Sequence, residues 1–374
     1  MSASIQRQNK KRPDYYLLGS AAALVAVGLL FLASISVSFS QKRFDNPFYF
    51  LWHQIGLGLM PGIVLGVLAY RLPLTFFKKW SWLIVLFNIF LLGLVFVPKI
   101  GLDLGGASRW LHLGPVSFQP TELLKLTFIL YLASWLASRK EKSGRGKTFL
   151  AFLFVLGVVA AFLIAQPDIS TLGIIVLTAL AMYFLSGAPL WHVILMICGG
   201  VSALAILIKS AGYRSQRWTV FLKSFFLRSD GDPLGIGYQV QQAIVSIGSG
   251  GLFGLGLGMS QQKFGNLPFP MSDSVFAVMG EEIGFAGCSL IIIIFLIFIV
   301  RGFMITKRAP DIFCGLLAAG ISFWLGIQAF VNIAAMMGLL PLTGIPLPLI
   351  SYGGSALTAE LAGIGILLNV SRHI

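Results

Sequence analysis

Along this chain the hydrophobic positions come in long unbroken runs, not in the alternation of a half-buried strand. Ten runs approach the roughly 20 residues that cross about 30 Å of hydrocarbon as a helix. They cover 15–37, 50–70, 80–97, 120–138, 148–165, 170–187, 191–209, 274–300, 312–336 and 349–370. In lipid the backbone must satisfy its own hydrogen bonds, which leaves helices or closed barrels, and continuous runs select helices. The pattern predicts an all-α polytopic membrane protein with ten transmembrane helices. The first run starts too late and extends too far for a removed leader, and no small-residue cleavage site follows it, so it is expected to remain as an anchor.

Composition agrees, since 57% hydrophobic and 11% charged residues cannot cover a soluble globule of 374 residues. Charge then orients the runs, because Lys and Arg collect in short cytoplasmic loops. With the N-terminus inside, inner segments hold Arg7, Lys10, Lys11 and Arg12; Arg71, Lys78 and Lys79; Arg139, Lys140, Lys142, Arg145 and Lys147; Arg301, Lys307 and Arg308; and Arg372. The short outer loops hold only Lys42, Arg43, Lys99 and Arg109. Both termini are therefore expected in the cytoplasm, and the net charge of +14 is a topology signal that needs no nucleic-acid partner. Residues 1–14 form a basic cytoplasmic tail and 15–374 a single membrane domain. Between the seventh and eighth runs, about 212–273 is too long for a simple connector and too apolar for disorder. It is expected to lie on the outer surface as short amphipathic helices, which puts the protein's work on that face.

The inventory for chemistry is short. Cys198, Cys288 and Cys314 fall singly inside runs, and His53, His112, His192 and His373 are scattered, so no zinc or redox pair is readable. "GRGKT" at Gly144 lacks the earlier glycine and the preceding strand of a phosphate-binding loop. "GSGGLFGLGLG" likewise lacks the context of a dinucleotide site and suits close backbone packing. Asp230 and Asp232 have the spacing of a metal-holding DxD pair, yet Asp-Gly and Asp-Pro are ordinary turn chemistry.

Acids within the runs need a reason, because a carboxylate at mid-membrane costs roughly 2.5–3.5 kcal/mol. Glu122 and Lys125 are three apart and so share a helix face, which suits an internal ion pair. Glu281 and Glu282 are adjacent and point to different sides. Glu360 suits a polar seam between helices. Asp273 stands where the proline-broken "NLPFPMSD" gives way to a helix, a position for an N-cap or for a partly desolvated general base at a cavity rim. "GIPLPLISYGGSA" breaks the last run, and irregular backbone at such depth is tolerated where it lines protein or a watery cavity.

Several of these stretches carry a resemblance. "GASRWLHLGPVSFQPTELLKL", "AQPDISTLG", "DPLGIGYQVQQAIVSIGSGGLFGLGLGMSQQK", "VFAVMGEEIG" and "GIPLPLISYGGSA" resemble, in order and over nearly the whole chain, the SEDS family of FtsW, RodA and SpoVE proteins of bacterial shape, elongation and division. "DNPFYFLWHQ" is more similar to the FtsW branch. The resemblance implies a ten-helix bundle in the bacterial cytoplasmic (inner) membrane with a large outer loop between helices 7 and 8. It implies peptidoglycan glycosyltransfer that polymerises lipid II and releases undecaprenyl pyrophosphate, with Asp273 as the essential carboxylate. Arg109, Glu122, Lys125, Asp168, Gln242, Lys263, Ser351 and Tyr352 fall at candidate substrate-binding positions. A divalent cation, Mg or Mn, is a further candidate for countering the pyrophosphate charge. The implied partner is a class B penicillin-binding transpeptidase, with other divisome or elongasome membrane proteins. One departure is visible: family members commonly read LPE-x-HTD-F before the eighth helix, where this chain has Phe269, Met271, Ser272 and Ser274 around Asp273. Two other readings stay open, a lipid II flippase or transporter and an inactive SEDS-like scaffold.

Overall fold

The computed structural model describes residues 12–104, 107–114, 116–139, 145–209, 212–227 and 236–374. Arg7, Lys10, Lys11, Lys140, Glu141, Lys142, Gly144, Arg228, Asp230 and Asp232 lie outside the described residues.

The chain runs from α1 (Tyr15–Phe44) to α2 (Tyr49–Gln54), which passes through a π-helical turn (Ile55–Leu59) into α3 (Met60–Arg71), and then to α4 (Leu74–Leu94). Three short strands follow, β1 (Gly101–Leu104), β2 (Ala107–Leu113) and β3 (Val116–Phe118). Next come α5 (Pro120–Arg139), α6 (Arg145–Ala165), α7 (Ile169–Leu185), α8 (Leu190–Lys209), α9 (Gly212–Leu227) and α10 (Ile236–Ser249). The chain ends in α11 (Val275–Arg308), α12 (Ile312–Met336) and α13 (Gly354–Ser371). Among the described residues eight helical segments are long and apolar enough to cross a membrane, while α7 is apolar but shorter. The protein is thus mostly helical and multi-pass.

The strands correct the purely helical expectation. They form one antiparallel sheet in the order β1, β2, β3, with Leu102 opposite Trp110 and His112 opposite Ser117. Gly114 at φ +69° makes the turn into β3. This sheet sits outside the apolar runs, where a search by hydropathy finds only a connector. A second difference concerns α4, which begins before Lys78 and Lys79 where the hydrophobic run begins after them. Long Lys side chains can lie along apolar surface at a helix end, and here Lys78 Nζ rests 5.8 Å from the Phe313 ring.

Two helices form the centre. In α12 and α13, 72% and 78% of the apolar window is buried, against 12% in α8. Lipid supplies no hydrophobic drive between helices, so close approach must come from small residues. At Gly365 of α13 an added Cβ would meet the Gly66 carbonyl oxygen of α3, so the two backbones touch. Buried Trp324, Leu317 and Ile321 of α12 fill the interior beside them.

α11 is broken at Gly284, whose φ of +64° is in the left-handed region. The break frees backbone groups that would otherwise bond within the helix, and the glycine-rich loop after α10 satisfies them. Leu255 N donates to Glu281 O (2.9 Å), Gly256 N to Glu282 O (3.0 Å), and Phe285 N and Ala286 N to Gly251 O and Leu252 O (both 2.9 Å). Only glycine fits this contact: an added Cβ at Gly284 would collide with Gly254 N.

Candidate active site

Asp273 ends the loop that leads into α11. The helix itself starts at Val275 with Ser274 at the cap position, so Asp273 stands one residue before the cap. Backbone contacts hold this loop. Asn332 Nδ2 of α12 donates to Asp273 O (2.9 Å) and also to Ile345 O (2.7 Å), which clamps the Asp273 loop to the proline-rich segment before α13. Ser351 Oγ donates to Ser272 O (2.6 Å) and Tyr352 N to Met271 O (2.9 Å). Ser274 Oγ donates to Pro268 O (2.8 Å) and accepts from Gln239 Nε2 (3.1 Å). The main-chain groups of Met271, Ser272 and Asp273 therefore hold the loop in place.

The proline-rich segment is fixed from below. Glu360 Oε2 accepts from Leu349 N (2.8 Å), at a residue whose φ is +64°. Gln328 Nε2 donates to Pro346 O (3.1 Å). Ser170 Oγ at the start of α7 donates to Thr343 O (2.6 Å).

These elements surround one cavity of about 730 Å³. Its polar wall includes Arg109, Glu122, Asp168, Asp273 and Tyr352; its apolar wall includes Ile174, Leu177, Leu207, Ile208, Trp110 and Trp218. Asp273 reaches toward Gly344, where its Oδ2 would lie 3.4 Å from an added Cβ. Arg109, on β2, donates from Nε to Gln166 O (3.1 Å) and from Nη2 to Pro167 O (2.6 Å). It thereby holds the turn in which Asp168 caps α7 through Oδ1 on Thr171 N (3.3 Å). Asp168 is 4% exposed, and its Oδ2 has no hydrogen-bond partner among the described residues. Tyr352 Oη pairs with His53 Nδ1 (2.9 Å).

The other predicted residues lie elsewhere. Lys125 sits behind Glu122, 2.8 Å from its Oε2, and donates to Gln328 Oε1 (2.9 Å) while facing the Trp324 ring. Ser351 is 7% exposed and is engaged by Leu347 N and Ser272 O. Gln242 is half-buried on α10. Lys263 is buried, with Nζ on Glu282 Oε1 and Gly258 O, both at 2.8 Å. Among the described residues no three His, Cys, Asp or Glu side chains are grouped to hold a metal ion. Asn332 and Gln328 went unread in the sequence, although two amides four apart in one apolar run are a signal in themselves.

Comparison with known proteins gives this geometry its setting. The FtsW/RodA/SpoVE family model, described as a cell cycle protein, matches residues 15–374. A relative from Nitrosococcus halophilus, named "Probable peptidoglycan glycosyltransferase FtsW", is 40% identical over 365 residues, 96% of this chain and 92% of its own. Stage V sporulation protein E of Bacillus subtilis is 38% identical over 97% of this chain and 98% of its own. Among solved structures, a chain from work on coordinated polymerization and crosslinking by a peptidoglycan synthase complex matches with a TM-score of 0.77 at 29% identity, covering 96% of this chain and 98% of that one. The rod shape determining protein RodA of Thermus thermophilus matches with a TM-score of 0.71 at 28% identity, covering 96% and 97%. The chain belongs to the FtsW/RodA/SpoVE family.

Proposed function

We propose that this protein is a peptidoglycan glycosyltransferase that polymerises lipid II in the cytoplasmic membrane, with Asp273 as its general base. The observation that carries the reading is a cavity in which Asp273, Arg109, Glu122 and Asp168 face apolar residues of α7 and α8. A lipid-linked sugar needs both kinds of wall at once, one for the saccharide and pyrophosphate and one for the chain. The relatives' names support the same reading.

In this mechanism Asp273 takes the proton from the 4-hydroxyl of the acceptor GlcNAc. That oxygen attacks the anomeric carbon of the donor MurNAc with inversion, and undecaprenyl pyrophosphate leaves. One carboxylate suffices because the leaving group is already a stable anion and needs no acid. Arg109 spends Nε and Nη2 on the 166–167 carbonyls, which aims a rigid cation at the cavity and leaves Nη1 for a pyrophosphate oxygen. Lys125 lends positive charge from behind Glu122.

The same reading includes ten spans, with α5 and α7 joining the other eight segments, both termini in the cytoplasm, and the 212–273 loop and cavity on the outer face. It includes a class B penicillin-binding transpeptidase as partner. The test is purified protein, with and without that partner, incubated with labelled lipid II and compared with Asp273→Asn. Glycan chains from the wild type alone support it. Equal polymer from both removes Asp273 from the mechanism, and headgroup translocation without polymer would replace polymerisation by transport.

A further inference from the structure

We infer that the glycine-rich loop between α10 and the Lys263 turn is a membrane wedge, whose apolar side chains enter the outer boundary of the bilayer and set the depth of the loop that ends at Asp273. The inference goes beyond the proposed activity and stands whether or not the protein polymerises lipid II.

The depth follows from α11. Arg301 is bound to Asp14 at the charged end of that helix, with Lys307 and Arg308 beyond it. From Arg301 back to Phe285, the first residue past the Gly284 break, the helix rises about 24 Å, most of the roughly 30 Å thickness of the hydrocarbon core. The loop's amides are bonded at that opposite level, to the carbonyls of Glu281 and Glu282. Its backbone therefore sits at the second membrane boundary.

At that level the loop shows water or lipid an unusual set of side chains. Leu252, Phe253, Leu255, Leu257 and Met259 are exposed by 66, 83, 48, 56 and 64%. No charged residue interrupts the stretch from Gly248 to Gln262. Phe285, 69% exposed, is joined to the loop through its own amide on Gly251 O. α11 continues with exposed Leu290, Ile293, Leu296 and Ile297, so the display runs on into the lipid-facing surface of a spanning helix. That continuity selects lipid as the occupant.

Nor can these side chains turn inward, because the loop is pinned at both ends. Glu281 accepts from Ser246 Oγ (2.9 Å), Ser260 Oγ (2.6 Å) and Gln261 N (2.9 Å). Glu282 holds Lys263 (2.8 Å) on one oxygen and Ser34 Oγ of α1 (3.3 Å) on the other. The two acids thereby hold an apolar loop outward against α11, a short distance along the chain from Asp273.

The test places a nitroxide at single cysteines, Phe253→Cys, Leu257→Cys or Met259→Cys, in a Cys198→Ser background and in nanodiscs of phosphatidylethanolamine and phosphatidylglycerol. Leu290→Cys is the lipid reference and Asn46→Cys the outer-loop reference, and all five positions are exposed, so folding is preserved. Collision with oxygen against a water-soluble nickel chelate reports depth. The wedge predicts oxygen-dominated collision at all three loop positions, at roughly 5–10 Å below the headgroups. Ratios equal to those at Asn46, or low collision with both reagents because protein covers the loop, overturn it.

Discussion

Two sets of carboxylates sit where lipid would exclude them, and they are built in opposite ways. Glu281 and Glu282 are 2% and 1% exposed, and their oxygens are engaged by Lys263, three serine hydroxyls and a backbone amide. Glu122, Asp168 and Asp273 instead border a cavity of about 730 Å³, and Asp168 keeps an oxygen without a partner among the described residues. A buried charge must be paired or it becomes costly. The closed set has spent its bonding capacity on fold. In the open set Asp168 retains an acceptor that something entering the cavity can use, which is the physical mark of a site. Lys263 and Arg109 divide in the same way, one locked in an ion pair and the other lining the cavity.

The comparison breaks first if Asp273→Asn keeps its activity. Loss of a general base is expected to lower polymer formation by roughly 10²–10⁴-fold, while the thermal midpoint in detergent stays within about 2 °C of wild type. Activity would fall without unfolding.

The closed set should behave in reverse. Lys263→Met leaves Glu282 buried without its cation, and removing one partner of a buried pair costs about 3–5 kcal/mol. Denaturant unfolding in detergent measures it. Adding Glu282→Leu should recover most of that loss. Should Lys263→Met instead unfold like wild type but lose polymerisation, Lys263 would move to the cavity set.

Gly284→Ala tests the joint between the sets. The position needs a left-handed φ, and its new methyl would press on the Gly254 amide. A destabilisation of about 1–3 kcal/mol is expected, and hydrogen exchange should rise first at the amides of Leu255 and Gly256.

Much of this was legible beforehand, for identifiable reasons. Hydropathy is a sum over many residues, so the apolar runs emerged even where ends shifted, as at Lys78 and Lys79. Helical spacing foretold that Glu122 and Lys125 would meet, and they pair at 2.8 Å. What stayed hidden was set by partners far along the chain. Nothing near Lys263 announces Glu282, and nothing near Arg109 announces the 166–167 carbonyls. The sheet was invisible because its strands are short and lie in a stretch that hydropathy treats as connector. In "GIPLPLISYGGSA" the prolines signalled irregular backbone, but that Ser351 holds Ser272 while Tyr352 reaches the cavity wall depends on side-chain directions that spacing does not reveal.

Tyr352→Phe should give the smallest effect, and it sharpens the boundary between the two sets. Tyr352 lines the cavity, yet its hydroxyl is occupied by His53 from the second apolar segment. If the phenol only ties that segment to the site, its removal costs about 1 kcal/mol of stability and leaves the Michaelis constant for lipid II unchanged. If it also touches substrate, the Michaelis constant rises severalfold at constant turnover, as expected when binding energy common to ground and transition states is lost. His53→Leu separates these outcomes, because it frees the phenol while keeping the ring on the cavity wall. A stability loss shared by both variants with unchanged kinetics assigns Tyr352 to the closed set. A Michaelis constant raised only by Tyr352→Phe assigns it to the open one.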